Sequence, residues 1–371
     1  MRISVITNMI PPYRDIFFES ISLIKEVENL TVFICKKNEP NRSWDNVNSN
    51  LYKIKKLKGF SISFGNSSFS GKVIHFYPGI FLELLFNKPE HLIIGDISYT
   101  TYIALFIAKV LRLKSILWFE DSRDTKDLTI IARVVKNIFY KFADLFIVPS
   151  LSSKNLLKEL GIDNKKIKII PNAINNQKFF NLYKKNKDSK NLLRKKYNVP
   201  ISSFCFVFVG QLIKRKRILE TIQILDNKKI KAEVFLIIIG KGYLEKEVKL
   251  KIKNLKNLKS IYIKEINEEL ISEVYSLSDS LILLSDNEPW GMVINESMIH
   301  NLPFITSDNV EAANYYYRNY KNSTVENFTN INHKTIKNHI AKSKSKNINN
   351  IKPISPEKMA KTFIKFIKDE N

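Results

Sequence analysis

The sequence predicts an α/β protein built from two doubly wound units in tandem. Short apolar runs rich in Ile, Val and Phe alternate with longer segments of helical period, the signature of parallel strands joined by crossover helices. The alternation lapses in a polar stretch near the middle of the chain and then restarts. A length of 371 residues also exceeds the size at which a single hydrophobic core keeps growing.

The first unit is expected over residues 1–172, with strands at 3–7, 30–35, 91–95, 115–119, 145–148 and 167–170. Helical faces run through Phe17, Ile21 and Ile24, and through Ile131, Val135, Ile138 and Phe142. Residues 36–77 are polar, with two short strand candidates, and read as an edge hairpin or a loop. Residues 175–190 lack apolar periodicity and read as a linker. The second unit, residues 173–355, has strands at 204–209, 234–239, 260–263, 281–284 and 304–307, and its poorly apolar end, 321–355, reads as loop or helix. The closing helix within 356–371 regains an apolar face at Met359, Phe363 and Phe366 and is expected to pack back on the first unit.

Sixty basic against 36 acidic residues give a net charge of +24, which invites a nucleic-acid reading. The excess is spread along the whole chain, however, with no basic stripe interleaved with aromatics, so nucleic acid is not an expected partner. Attraction to an anionic membrane surface is compatible with this charge. The segment 126–146 sets Arg133, Lys136 and Lys141 among large apolar residues and reads either as a lipid-touching helix or as a core-packed crossover. No run is long and apolar enough to span a bilayer, and Asn8 with Pro11 and Pro12 stops the first apolar stretch short of a signal peptide. A cytoplasmic place, at the inner face of the membrane, is the expectation. Cys35 and Cys205 sit in strand-like runs and read as core thiols of a reduced compartment.

Ligands of doubly wound sheets bind beyond the carboxyl ends of the strands. The loop after Leu284 carries Glu288, then Gly291, Met292 and Val293 at an expected helix start, then Glu296 one turn inside. First-turn amides and a Gly that lets a diphosphate approach make Gly291, Met292 and Val293 candidate phosphate contacts. Carboxylates accept sugar hydroxyls, so Glu288 can address a sugar and Glu296 a ribose; the alternative is that both are surface carboxylates favoured by the helix dipole. Gly210 and Gln211 lead into four cations, Lys214, Arg215, Lys216 and Arg217, able to neutralise a diphosphate. Gly240, Lys241 and Gly242 follow the next strand as a weaker signal of the same kind. In the first unit, Asn8, Pro12, Tyr13 and Arg14 follow the first strand, and Glu120, Asp121 and Arg123 follow the strand ending at Phe119. Five scattered His residues form no pair at metal-ligand spacing, and there is neither a P-loop nor a Gly-x-Ser-x-Gly elbow.

The segment EPWGMVINE, followed by SMIHNLPFITSD, resembles the E-x7-E motif of the retaining family-four glycosyltransferases, glycosyl transferases group 1 of the GT-B fold. VGQLIKRKR is similar to their phosphate loop, IIIGKGYLEKEV to their base-binding turn, and ADLFIVPS with KIKIIPNAIN to the end of their first domain. The resemblance covers nearly all of residues 1–320. It implies two facing Rossmann-like domains closing on a central cleft. It further implies donor diphosphate contact by Lys216, sugar contact by Glu288 and ribose contact by Glu296. Three departures stand out: Gln211 replaces an Arg, and Arg217 and Glu311 each replace a Gly. The acceptor-side His of many members is absent, and FEDSR stands in its place, so Glu120 and Asp121 are the candidate catalytic carboxylates of the first domain beside Lys216 and Glu288 of the second.

The implied reaction is hexosyl transfer from a UDP- or GDP-sugar to a glycan or lipid-linked acceptor with retention, in surface polysaccharide or lipopolysaccharide biosynthesis. It requires neither cofactor nor metal, and no Asp-x-Asp motif is present. Two other classes compete. An oxidoreductase on this sheet requires Gly-x-Gly-x-x-Gly after its first strand, where residues 8–14 hold no glycine. A noncatalytic basic binding protein explains the charge but leaves Glu288 and Glu296 without a role.

Overall fold

The structure, a computed structural model, describes residues 1–36, 49–64, 72–96, 98–121, 130–265, 267–320, 322–344 and 352–369. The chain divides into two compact units, residues 1–174 with 354–371, and residues 175–353. In the first, the strands are β1 (Arg2–Thr7), β2 (Asn29–Ile34), β3 (Lys53–Lys56), β4 (Phe60–Phe64), β5 (Lys72–Phe76), β6 (His91–Ile94), β7 (Lys114–Trp118), β8 (Leu145–Val148) and β9 (Ile167–Ile169). Its helices are α1 (Pro12–Ser22), α2 (Ile80–Asn87), α3 (Tyr99–Val110), α4 (Ile130–Tyr140) and α5 (Leu151–Glu159). Seven strands form a parallel sheet in the order β3-β2-β1-β6-β7-β8-β9, while β4 and β5 pair as a separate antiparallel hairpin.

The second unit contains α6 (Asn176–Asn186), α7 (Lys190–Lys196), β10 (Phe204–Val209), α8 (Ile218–Leu225), β11 (Val234–Ile239), α9 (Glu245–Lys253), β12 (Leu258–Ile263), α10 (Glu268–Leu277), β13 (Ser280–Leu283), α11 (Met292–Ile299), β14 (Phe304–Ser307), α12 (Glu311–Tyr317), β15 (Thr324–Glu326) and α13 (His333–Ser343). Its parallel sheet runs β12-β11-β10-β13-β14-β15. The central strands read as unbroken apolar runs because both faces are covered; β11 is buried at all six positions. The last helix, α14 (Pro356–Asp369), returns to the first unit and lies against α1, with the Phe363 ring edge-on to Phe17 at 5.7 Å. Thus α1 and α14 cover one face of the first sheet and α2 to α5 the other.

In each sheet the strand order reverses once: between β1 and β6, and between β10 and β13. Strands that diverge at these points open a crevice beyond their carboxyl ends, which is where a doubly wound sheet takes ligands.

Residues 175–190 are not a linker. Asn175 caps α6, whose buried Phe179 and Tyr183 set their rings against His300 at 6.1 and 5.6 Å. Residues 321–355 also hold more order than their composition suggests. In α13, Ile336 and Ile340 are joined on the buried face by His339, which bridges Ser280 Oγ and Thr324 Oγ1 at 2.7 and 2.9 Å. Both cysteines are buried, and neither forms a disulfide.

Candidate functional site

In the second unit, the loops leaving β10 and β13 lie side by side beyond the switch point, where the Asp286 amide donates to the Arg215 carbonyl at 2.8 Å. A short 3-10 turn over Lys214–Lys216 aims the buried Lys216 ammonium at the Glu288 carboxylate, and Arg215 reaches the same carboxylate from 3.3 Å. Burial works against ionisation of Glu288, but Lys216 and Arg215 outweigh it and hold its pKa below the usual carboxylate range. For Lys216, burial pulls the pKa down while Glu288 opposes. The pair is therefore mutually dependent, because removing either partner strands a buried charge.

Gly291 caps α11 with φ at +101°, a left-handed conformation that side chains resist. Met292 and Val293 open α11 directly after this turn, and first-turn N–H groups have no intrahelical acceptor. Glu288 itself is fixed through its backbone: its amide donates to Asn309 O at 2.9 Å, and the Glu311 amide donates to Glu288 O at 3.2 Å. Glu296, one turn along α11, accepts a 2.7 Å hydrogen bond from the buried Tyr275 hydroxyl. Burial pushes the Glu296 pKa up to about 7, although the Tyr275 bond acts in the opposite direction.

Gly240 and Gly242 have a backbone reason to be glycine. A Cβ on Gly240 would lie 1.8 Å from Gly210 O, and one on Gly242 would lie 2.1 Å from Leu212 O. The two loops touch main chain to main chain, with Leu212 N to Lys241 O at 2.8 Å and Leu244 N to Leu212 O at 3.0 Å. Lys241 pairs with Glu265 at the edge of this contact, and Gln211 and the exposed Lys214 lie on the loop itself. Arg217, where the resembled motif has glycine, occupies a left-handed conformation with φ at +49°. Its guanidinium lies over the Phe328 ring at 3.9 Å and pairs with Asp286, contacts that offset the backbone cost and that glycine could not make.

In the first unit, the ends of β1, β6 and β7 meet around Arg14, which is only 3 % exposed. Its guanidinium donates to Thr7 Oγ1 at 2.9 Å, Asp96 Oδ1 at 3.1 Å, Gly95 O at 2.5 Å and Glu120 Oε2 at 2.8 Å. Gly95 leaves the room, since a Cβ there would come within 2.9 Å of Arg14 Nη1. Burial disfavours the Arg14 charge, but Asp96 and Glu120 more than compensate and raise its pKa. Asp96 also accepts from the Asn8 amide at 2.7 Å; Glu120 accepts from Tyr13 and Asn172 at 2.8 and 2.5 Å. Arg14 thus organises the carboxylates rather than presenting itself to solvent.

Asn8, Tyr13, Arg14 and Glu120 therefore form one cluster. Pro12 opens α1 from an exposed position outside it, Asp121 is half-buried beside it, and Arg123 lies outside the described residues. Within the second unit, Lys216, Arg215 and Glu288 are brought together, and Glu296 engages Tyr275 instead. Sequence reasoning passed over Asp96, Asn172 and Tyr275. Asn172 stood within the PNAIN segment, whereas Asp96 and Tyr275 are single polar residues with no pattern around them.

The family model of glycosyl transferases group 1 matches residues 189–366. A UDP-Gal:alpha-D-GlcNAc-diphosphoundecaprenol alpha-1,3-galactosyltransferase of Escherichia coli is 30% identical over 167 residues, 44% of this chain and 42% of that one. The chain spans about two fifths of the length of the curated relatives it matches. Among solved structures, Anabaena Alr3699/HepE in complex with UDP and glucose superposes with a TM-score of 0.69 at 14% identity, covering 100% of this chain and 98% of that one. The lipopolysaccharide outer core galactosyltransferase WaaB gives 0.65 at 14% identity, with 100% of both chains covered. The chain carries the GT-B fold, and its residues 189–366 match the family model of glycosyl transferases group 1.

Proposed function

We propose that the protein is a glycosyltransferase that moves a hexosyl group from a UDP- or GDP-sugar to a glycan or lipid-linked acceptor, in the building of a surface polysaccharide or lipopolysaccharide. The observation that carries the reading is the arrangement at the β10–β13 switch point. There the buried Lys216 and Arg215 converge on Glu288, beside the Gly291-capped start of α11. Cations and fixed amides stabilise the charge that develops on a departing nucleoside diphosphate, and they require no reorganisation when it forms. Glu288, held ionised, accepts hydroxyls of the transferred sugar, and Glu296 accepts those of the ribose. The printed names of the relatives, a diphosphoundecaprenol galactosyltransferase and a lipopolysaccharide core galactosyltransferase, support the acceptor class, and the UDP bound by HepE supports the donor class.

In this reading the anomeric configuration is retained by departure and attack on the same face. Glu288 is tied up by two cations and Glu120 by three donors, which leaves neither as a free covalent nucleophile. The cations and amides take the role a metal would play, so chelator leaves the rate unchanged. The test is release of UDP or GDP from a panel of nucleotide sugars in the presence of polyprenyl diphosphate-linked sugars. Lys216→Ala is expected to lower kcat by a hundredfold or more, on the order of the loss of one oxyanion donor. Full activity in that variant, or a sugar trapped on Glu120 or Glu288, contradicts the reading.

A further inference from the structure

The second sheet holds a cavity at the end remote from the Lys216–Glu288 pair. It lies at the amino ends of β10, β11, β13 and β14, where Phe204, Glu233, Asp279 and Pro303 line it, and its volume is about 680 Å³. That volume is in the range of small-molecule sites. A doubly wound sheet takes its nucleotide beyond the opposite, carboxyl ends of the strands, so the proposed donor reading makes no use of this cavity.

Hydroxyl groups in its wall are left without partners. Tyr320 is only 4% exposed, its ring stacked on Phe304 at 5.5 Å, and its hydroxyl has no hydrogen-bond partner among the described residues. Burial raises its pKa and keeps it a proton donor. Ser276 Oγ is buried and likewise unpartnered among the described residues. The Tyr183 hydroxyl accepts from Asn301 Nδ2 at 2.9 Å and keeps its own proton to donate. A buried hydroxyl left unpaired is costly, and a ligand oxygen that accepts from it removes that cost.

The charges around the cavity define the rest of the ligand. Asp279 is paired with Lys190 and with Arg194, each at 2.6 Å, and Arg194 also donates to the carbonyls of Leu277, Ile201 and Ser203 that converge there. Glu233 is paired with Lys259 at 2.9 Å. Two further cations line the cavity, Lys187 and Lys344. Lys187 meets only Asp188, 3.9 Å away and 88% exposed, a pair worth little in water, and Lys344 forms no ion pair among the described residues. Two cations without a buried counter-charge match the roughly two negative charges of a phosphate monoester, and the hydroxyls match a polyhydroxylated body. We infer that the cavity binds the phosphate monoester of a small sugar or polyol, with Lys187 and Lys344 meeting the phosphate and Tyr183 and Tyr320 donating to its hydroxyl oxygens. The site stands apart from sugar transfer, because filling it needs no donor.

The test is calorimetric titration of the full chain with ribose 5-phosphate, beside ribose and inorganic phosphate. The phosphate of this probe sits on a primary carbon, so it does not copy a sugar joined to diphosphate at its anomeric carbon. It is expected to bind at least about tenfold more tightly than either part alone. Lys187→Gln with Lys344→Gln should weaken that binding about tenfold, and Tyr320→Phe about fivefold. Tyr320→Phe keeps the stacked ring and the two lysines are on the surface, so thermal unfolding and UDP binding stay unchanged in both variants. UDP added to the loaded protein is expected to leave ribose 5-phosphate in place, and a protein that binds the probe but no nucleotide would contradict the proposed activity and not this site. Absence of ribose 5-phosphate binding overturns the inference, as does binding no tighter than that of inorganic phosphate. So does binding that either variant leaves unweakened, or that UDP displaces.

Discussion

Glu296 holds its proton to about pH 7 because burial disfavours the carboxylate. An unfolded Glu ionises near about 4.3. Between those values the unfolded chain sheds a proton that the folded chain keeps, so stability falls as pH rises from about 4.3 to about 7. Glu296→Gln is expected to flatten that slope in denaturant melts taken across this range. In the proposed function only the ionised carboxylate accepts two ribose hydroxyls, so UDP affinity is expected to climb through pH 7 and level off above it. Tyr275 lowers the Glu296 pKa through its hydrogen bond, and Tyr275→Phe should move the affinity midpoint to higher pH. An unmoved midpoint removes Tyr275 from the positioning of that carboxylate. The sequence showed Glu288, Gly291 and Glu296 through spacing alone, since eight residues across a loop and a helix start fix both carboxylates at one strand end. It did not show Tyr275 or Asp96, because each meets its partner only when distant segments pack.

At the scale of elements, the apolar runs announced the central strands because both of their faces are covered. Of the four edge strands, β9 and β12 were also legible, but β3 and β15 gave no such signal. Residues 53–56 read Lys-Ile-Lys-Lys and 324–326 read Thr-Val-Glu, half-solvated sequences that pair on one side only. Helix α6 was missed, and α13 left open between loop and helix, for another reason: the half-buried Tyr183 and the buried His339 fill inward positions where hydropathy expects aliphatics. Contact between the loops after β10 and β11 depends on missing side chains. Gly240→Ala places a methyl group against Gly210 O at a φ of +147° and is expected to cost well over about 1 kcal/mol. Gly161→Ala, with φ at +81° and nothing within 4 Å, is the control, expected to cost about 1–2 kcal/mol from conformation alone. Equal losses for the two in denaturant titrations would show that the loops do not touch as described.

Across the whole molecule, the chain passes from the first unit to the second and back, so the first unit is completed by residues 354–371. Phe363, fully buried between α14 and α1, ties the two ends of the chain together, and Phe363→Ala is expected to cost about 3–5 kcal/mol in denaturant unfolding. A loss below about 1 kcal/mol would mean that α14 is not part of that core. No described helix is long and apolar enough to cross a membrane. In the second unit the residues matched by the family model hold the switch-point crevice and the Lys216–Glu288 pair, where the proposed function places a nucleotide sugar. That placement is tested most directly by calorimetric titration with UDP and with GDP, beside Glu296→Ala. The account expects clear binding of one nucleotide that weakens at least about tenfold when the ribose contacts are lost. Failure of the folded protein to bind either nucleotide, or undiminished binding by the variant, contradicts it.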